Sequence, residues 1–251
     1  MIASLPMHTT TRNTGVENRV WAESRTKLQE NGTAAPDHLT RDLPEDLIAH
    51  WLSRDLVLSQ TCSLPYRTRL RRDVTIVGTP DYGIPGCPPG YYQSVVIVRG
   101  DDPRDGITEF ATARFALNDP LSQSGWAALV LERPDLLHTP SLITGSHRAS
   151  ISAVMQSYAD FAAIDAITFG NLTILGETTG LRVIHKTAPS PGLPYITAKS
   201  NDAAALLSAM QNALSALSHD DRDLLGIKSI IDLSPEAYEL PIPPAPHANV
   251  N

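Results

Sequence analysis

The sequence predicts an α/β fold with a mainly parallel sheet, on three observations. Short apolar runs rich in β-branched residues recur along the chain, helical apolar periods lie between them, and Gly, Pro, Asn and Asp punctuate the joins. The 251 residues, 42% of them apolar, suffice for one large domain or two small lobes with buried cores.

The strands are read in order. "MIASLP" at residues 1–6 opens the chain, followed by "DLVLSQT" at 55–61, "VTIVG" at 74–78 and "SVVIV" at 94–98. Residues 114–117, "DFAAID" at 160–165, "LRVI" at 181–184 and "PYITA" at 194–198 complete the set. Between them, Leu47, Ile48, Trp51 and Leu52 share one helical face, as do Ile151, Val154, Met155 and Tyr158. Leu207, Met210, Leu214 and Leu217 repeat the period in a long helix, with Asn201 or Asp202 available to cap it. The stretch 79–92, dense in Gly and Pro, reads as a loop of turns. No internal repeat is evident. The tail 241–251, "PIPPAPHANVN", has nothing to bury and is expected to be flexible.

Charge narrows the partners. Lys and Arg number 20 against 27 Asp and Glu, a net charge of −7, which argues against a nucleic-acid surface or an anionic membrane. Any anion must therefore be captured locally. The run Arg67, Arg69, Arg71 and Arg72 is the one basic cluster, either a solvated turn or a contact surface. Cys62 and Cys87 are too few for a disulfide framework and lack metal-ligand spacing. His138, His147 and His185 show no ligand spacing either, so neither metal nor cofactor is expected. No apolar run of 18 residues and no signal-peptide pattern is present, so no direct membrane insertion is expected. A native start at Met1 implies the cytoplasm; a chain trimmed of its leader implies the periplasm.

One stretch carries chemistry. In "ALNDPLSQSGWAALVLE", residues 116–132, a strand gives way to a helix whose apolar face begins at Trp126, Leu129 and Val130. Ser122, Gln123, Ser124 and Gly125 then fall at the helix start, where backbone N–H groups lack intrahelical acceptors and the helix dipole is positive. An oxyanion suits that deficit, with two hydroxyls to donate and a glycine to permit close approach. A serine there also serves as an ordinary N-cap, so two readings stand. Downstream, "GSH" at 145–147 opens a second helix and Asp165 ends a strand at the brink of a third. His147 and Asp165 thus both lie at carboxyl ends of strands, where ligands of open α/β sheets bind, although each residue type is also common as a cap.

The order of four motifs resembles a known family. These are "GYYQSVVIVR" at 90–99, "NDPLSQSG" at 118–125, "GSH" followed by "ADFAAID" within 145–165, and "PSPGLPY" at 189–195. Over residues 55 to 225 the chain is similar to the phosphonate-type substrate-binding proteins of ABC transporters, within the wider group that holds sulfonate-binding proteins and transferrin-like lobes. The resemblance implies a type II periplasmic-binding-protein fold: two α/β lobes joined by two hinge strands near "SVVIV" and "PYITA", closing on ligand. Lobe one comprises 1–95 plus 198–240, and lobe two 96–197. The family's phosphonate-holding Ser-Thr-Ser falls on Ser122, Gln123 and Ser124, its site histidine on His147 and its site tyrosine on Tyr92. Gln60, Thr61 and Tyr66 fall where its first lobe faces the cleft. The carboxylate that holds the ammonium of aminoalkyl phosphonates falls on Ile167, so that carboxylate is gone, although Asp165 lies two residues away.

The expected function is capture of a small oxyanion or organic oxyacid between two lobes by a non-enzymatic solute-binding protein with an ABC permease as partner, or by a cytosolic relative of one. An unperturbed His147, with a pKa of about 6.5, would make affinity fall as pH rises. The alternative is a cytosolic enzyme or cofactor-precursor-binding protein in which Ser122 or Ser124, His147 and Asp165 form a hydrolytic set, against which stands the missing Gly-x-Ser-x-Gly elbow. A sensor that presents its closed state to a protein partner is a third reading. Trp126, Phe169 and Tyr195 are read as core before pocket lining.

Overall fold

The structure is a computed structural model that describes residues 1–246. The last part of the expected tail, 247–251, lies outside the described residues. The chain divides into two compact units: Met1–Tyr91 with Pro191–Glu239, and Tyr92–Ser190 with the stretch from Leu240.

The first unit holds a five-stranded sheet in the order Ile2–Ala3, Leu56–Gln60, Tyr195–Ala198, Val74–Asp81, Ser229–Ile231. Ile2–Ala3 runs parallel to Leu56–Gln60, and Tyr195–Ala198 is antiparallel to both of its neighbours. Two apolar clusters pack against the sheet. One joins Val16, Val20, Trp21 and Leu28 of helix Thr14–Glu30 to Leu206, Met210 and Leu214 of helix Ala203–Ser215. The other gathers Trp51, Leu56, Tyr66, Leu70, Ile196 and Tyr238. The long helix is capped by Asp202, which accepts from the Ala205 N–H.

The second unit repeats the plan with the order Ser141–Ile143, Phe115–Leu117, Phe161–Asp165, Ser94–Arg99, Leu181–Lys186. Four strands share one direction, and only Ser94–Arg99 runs against them. In each unit a strand that follows a passage of the chain between units, Ser94–Arg99 or Tyr195–Ala198, is a reversed one, so the sheets are mixed. The strand period of two explains why Val95–Val98 are apolar on consecutive positions. Val96 and Val98 join Phe115, Leu117, Trp126 and Phe161 in one cluster, while Val95 and Ile97 join Ala116, Ile151, Val154 and Ile164 in another. The central strands are covered on both faces, while the edge strands Ser141–Ile143 and Leu181–Lys186 are partly exposed.

Three elements differ from the sequence expectation. Helix His147–Met155 stops one turn early: Gln156 caps it and Ser157 takes a φ of 63°, so Met155 and Tyr158 are exposed instead of continuing the face of Ile151 and Val154. The strand from Val74 runs on to Asp81 through Pro80. Pro80 is accommodated because residues 79–81 pair only with Ser229–Ile231, beyond the last pairing of the Tyr195–Ala198 strand. Helix Thr14–Glu30 went unread because its buried stripe of Val16, Val20, Trp21 and Leu28 is interrupted by Glu17 and Ser24. Both are satisfied: Glu17 accepts from Thr9 Oγ1 at 2.9 Å and pairs with Arg41 at 2.6 Å, and Ser24 Oγ donates to the Val20 carbonyl. No described helix is long and apolar enough to cross a membrane.

Candidate functional site

In the second unit three parallel strands end side by side. Leu117 is in register with Ile143, and the same strand pairs with Phe161–Asp165. Their carboxyl ends deliver the segment Asn118–Gly125, the turn Gly145–Ser146–His147 and Asp165. The reversed strand enters at the same end, where Ser94 lies opposite Asp165 and the Gln93 carbonyl accepts from the Ala166 N–H. The first two segments are tied together, because the Thr144 and Gly145 N–H groups donate to the Leu117 and Asn118 carbonyls at 2.9 Å each.

After Asn118 the chain turns through Asp119, whose carboxylate accepts from the Leu121 N–H at 2.6 Å. It then enters a helical stretch whose first turn, Gln123–Ala127, is a wide π turn continued by an α-helix over Ala128–Glu132. Such turns are rare and concentrate at functional sites. Ser122 is the N-cap, its Oγ accepting from the Gly125 N–H at 2.9 Å. Ser122 caps, whereas Ser124 Oγ lies 2.8 Å from His147 Nε2 and 3.5 Å from Ser122 Oγ. The backbone of Ser124 is held from the sheet, its carbonyl accepting from Ser94 Oγ at 2.9 Å. Gly125 is required: a Cβ there would fall 1.8 Å from Asn118 Oδ1 and 3.1 Å from Ser122 Oγ.

His147 opens its own helix, capped by Ser146 Oγ accepting from the Ala149 N–H at 3.1 Å, and Gly145 supplies the left-handed turn before it with a φ of 84°. Asp165, buried, caps the third helix; its Oδ1 accepts from the Ile167 and Thr168 N–H groups at 2.7 and 3.0 Å. Tyr92 and Gln123 are buried in the same unit. Trp126 and Tyr195 are fully enclosed core residues, and Phe169 packs half-buried against a cluster.

Gln60, Thr61 and Tyr66 belong to the first unit and are described there. Gln60 Nε2 donates to the Leu193 carbonyl at 3.2 Å, and the Thr61 N–H to the Pro194 carbonyl at 3.1 Å. Tyr66 lies in the core, edge-on to Tyr238 with centroids 5.3 Å apart, and burial raises its phenol pKa. Of the basic run, Arg71 pairs with Glu239 at 2.5 Å. Cys62 and Cys87 form no disulfide, and the described residues contain no cluster fit to hold a metal ion.

Three residues escaped the sequence reading. Ser94 holds the serine turn, yet in sequence it is one position of an apolar strand. Asn118 reaches Gly125 with its side chain, and its Oδ1 is buried without a hydrogen-bond partner in the protein. The signal was there, since an Asn-Asp-Pro turn between strand and helix places the Asn at the strand end. Ser63, heading the helical stretch after Thr61, likewise has a buried Oγ without a partner.

A family model described as "ABC transporter, phosphonate, periplasmic substrate-binding protein" matches residues 55–238. No curated protein sequence matches the chain. Among solved structures, PhnD1 from Prochlorococcus marinus in complex with methylphosphonate is similar at a TM-score of 0.68 and 14% identity, covering 95% of this chain and 93% of that one. XAC2383 from Xanthomonas citri bound to ATP is similar at 0.67 and 14%, covering 89% and 90%. A binding protein component of an ABC phosphonate transporter from Pseudomonas aeruginosa follows at 0.64 and 15%, covering 95% and 82%. At these identities the likeness concerns the fold.

Proposed function

We infer that this chain, which belongs to the phosphonate family of periplasmic substrate-binding proteins of ABC transporters, captures a phosphonate-like oxyanion on the second unit and releases it unchanged. The observation that carries the reading is the Ser124–His147 hydrogen bond of 2.8 Å at the mouth of the wide helical turn. Ser122 Oγ accepts from the Gly125 N–H, which leaves its hydrogen to donate outward. Ser124 has one hydroxyl hydrogen. For that hydrogen to reach an anion, Ser124 must accept from His147, so Nε2 must carry a proton. The Nε2–H tautomer of His147 satisfies this, so the hydrogen bond orients the Ser124 hydroxyl hydrogen outward. The neighbouring helix-start N–H groups add the dipole's contribution.

Membership of the family supports an ABC permease as the partner that receives the ligand. Calorimetry and thermal unfolding in phosphate-free buffer test the reading. Methylphosphonate at a hundred times its Kd stabilises the fold by about 2.7 kcal/mol, and Ser124→Ala abolishes the gain. The absence of any stabilisation by phosphorus or sulfur oxyanions contradicts it. The same hydrogen bond has the length of a nucleophile–base pair, which makes hydrolysis the second reading. Ligand recovered intact after prolonged incubation at catalytic ratios argues against hydrolysis, and released products would establish it.

A further inference from the structure

Resting on that reading, we propose that residues 240–246 form a strap that holds the wide turn in its binding form, with Trp126 as the positioning residue through which the strap acts. The chain leaves the first unit after Glu239, and the stretch from Leu240 belongs to the second. Four of its next residues are Pro241, Pro243, Pro244 and Pro246, whose fixed φ lowers the entropy lost when such a segment is seated. The seat is specific. Ile242 stays 62% exposed while Pro243 is buried, and the Pro244 carbonyl accepts from Trp126 Nε1 at 2.9 Å. General apolar collapse would have buried the isoleucine first.

Trp126 lies inside the wide turn Gln123–Ala127, one position after Gly125 and two after Ser124. The turn closes with the Ala127 N–H on the Ser122 carbonyl at 3.1 Å, five residues back, where an ordinary α turn closes four back. Winding the stretch into the α register would rotate the residues before Ala128 by about 100° relative to the helix that follows. Trp126 cannot make that rotation in its present seat. Its ring is fully enclosed and stacked on Phe115 with centroids 6.0 Å apart, and its one polar hydrogen is on the strap. Pinning Trp126 therefore pins the register that brings Ser124 Oγ within 2.8 Å of His147 Nε2. The stack on Phe115 fixes the ring from the sheet side and the strap fixes it at the indole nitrogen.

A double-mutant cycle tests the proposal: calorimetry with methylphosphonate on the full chain, on a chain ended after Glu239, on Trp126→Phe and on the two changes combined, with Ser124→Ala marking the site. Truncation and Trp126→Phe are each expected to weaken binding about fivefold, the worth of one hydrogen bond, at unchanged stoichiometry. The combined variant is expected to bind no more weakly than either, because both changes release the same pin. Pro243→Gly, which empties the buried position and frees the backbone there, takes the place of truncation in the cycle where the shortened chain does not fold. A strap that merely covers the core would lower the unfolding midpoint and leave the affinity of the folded protein alone. That result, or losses that add in the combined variant, overturns the proposal and leaves the oxyanion reading standing. Binding that is absent in the full chain, or that survives Ser124→Ala, overturns both.

Discussion

Two helical stretches, one in each unit, are built alike and finished differently. Both follow a buried sheet strand and both contain a wide π turn: Ser63–Leu70 after Leu56–Gln60, and Gln123–Glu132 after Phe115–Leu117. In the first, the N-cap position is Cys62, which makes no side-chain cap, and the polar residues nearby bind the backbone of the unit itself, as Gln60 and Thr61 do. In the second, Ser122 caps, Ser94 braces the turn, and a second serine meets a histidine carried by a different strand end. A helix start alone is common. What distinguishes the second is that structural and donor duties fall on separate side chains, so the donors are not consumed by the fold.

The comparison breaks first at Gly125. Gly125→Ala drives a methyl group into Asn118 and Ser122, and is expected to cost about 1–3 kcal/mol of stability in urea unfolding together with oxyanion binding in calorimetry. A variant that binds normally would show that the turn is not the site. Next, Asp102→Asn tests the frame of the second unit. Asp102 is buried, bonded by Arg104 at 2.6 and 2.9 Å, and that guanidinium holds its carboxyl down to about 2. Because the folded pKa lies below the unfolded one, the stabilisation is complete above about pH 4 and is lost as pH falls toward 2. The substitution is expected to cost about 2 kcal/mol at pH 7 and to flatten this acid limb in a pH series of unfolding curves.

Smaller effects sharpen the contrast. Burial lowers the pKa of His50, whose Nε2 meets Ser4 Oγ at 2.9 Å in the first unit. The neutral ring is the folded form, so stability is held above the ordinary histidine pKa and declines as pH drops below it. His50→Gln is expected to remove that slope between pH 7 and 5. Least of all, Ser63→Ala deletes a buried hydroxyl that bonds to nothing in the protein, and is expected to be neutral or slightly stabilising. A clear loss of ligand affinity in Ser63→Ala would instead assign the first helical stretch a part in binding.

Much of this was legible in the sequence, and the reasons differ by region. The second unit's central strands carry apolar residues on consecutive positions, as in Val95–Val98 and Phe161–Ile164, because both of their faces are covered, and that is visible without coordinates. The serine turn was visible because two hydroxyls and a glycine exceed what one cap requires. Glu17 and Ser24 hid the longest helix, since polar residues on a buried stripe look like loop until their partners, Arg41, Thr9 and a backbone carbonyl, are known. The tail was set aside as having nothing to bury, yet Pro243 is buried and the Trp126 indole donates to the Pro244 carbonyl at 2.9 Å. Ser94 was invisible as a brace of the turn because that role depends on register across the sheet, which one sequence does not carry.

The central claim is that the wide turn at Ser122–Gly125 receives the anion, and backbone amide NMR of the labelled full chain during a methylphosphonate titration tests it most directly. The account predicts that the N–H signals of Gln123, Ser124 and Gly125 shift together with one saturation curve, and that Ser124→Ala removes the response. Saturable shifts confined to other segments, with these three amides unmoved, would contradict it.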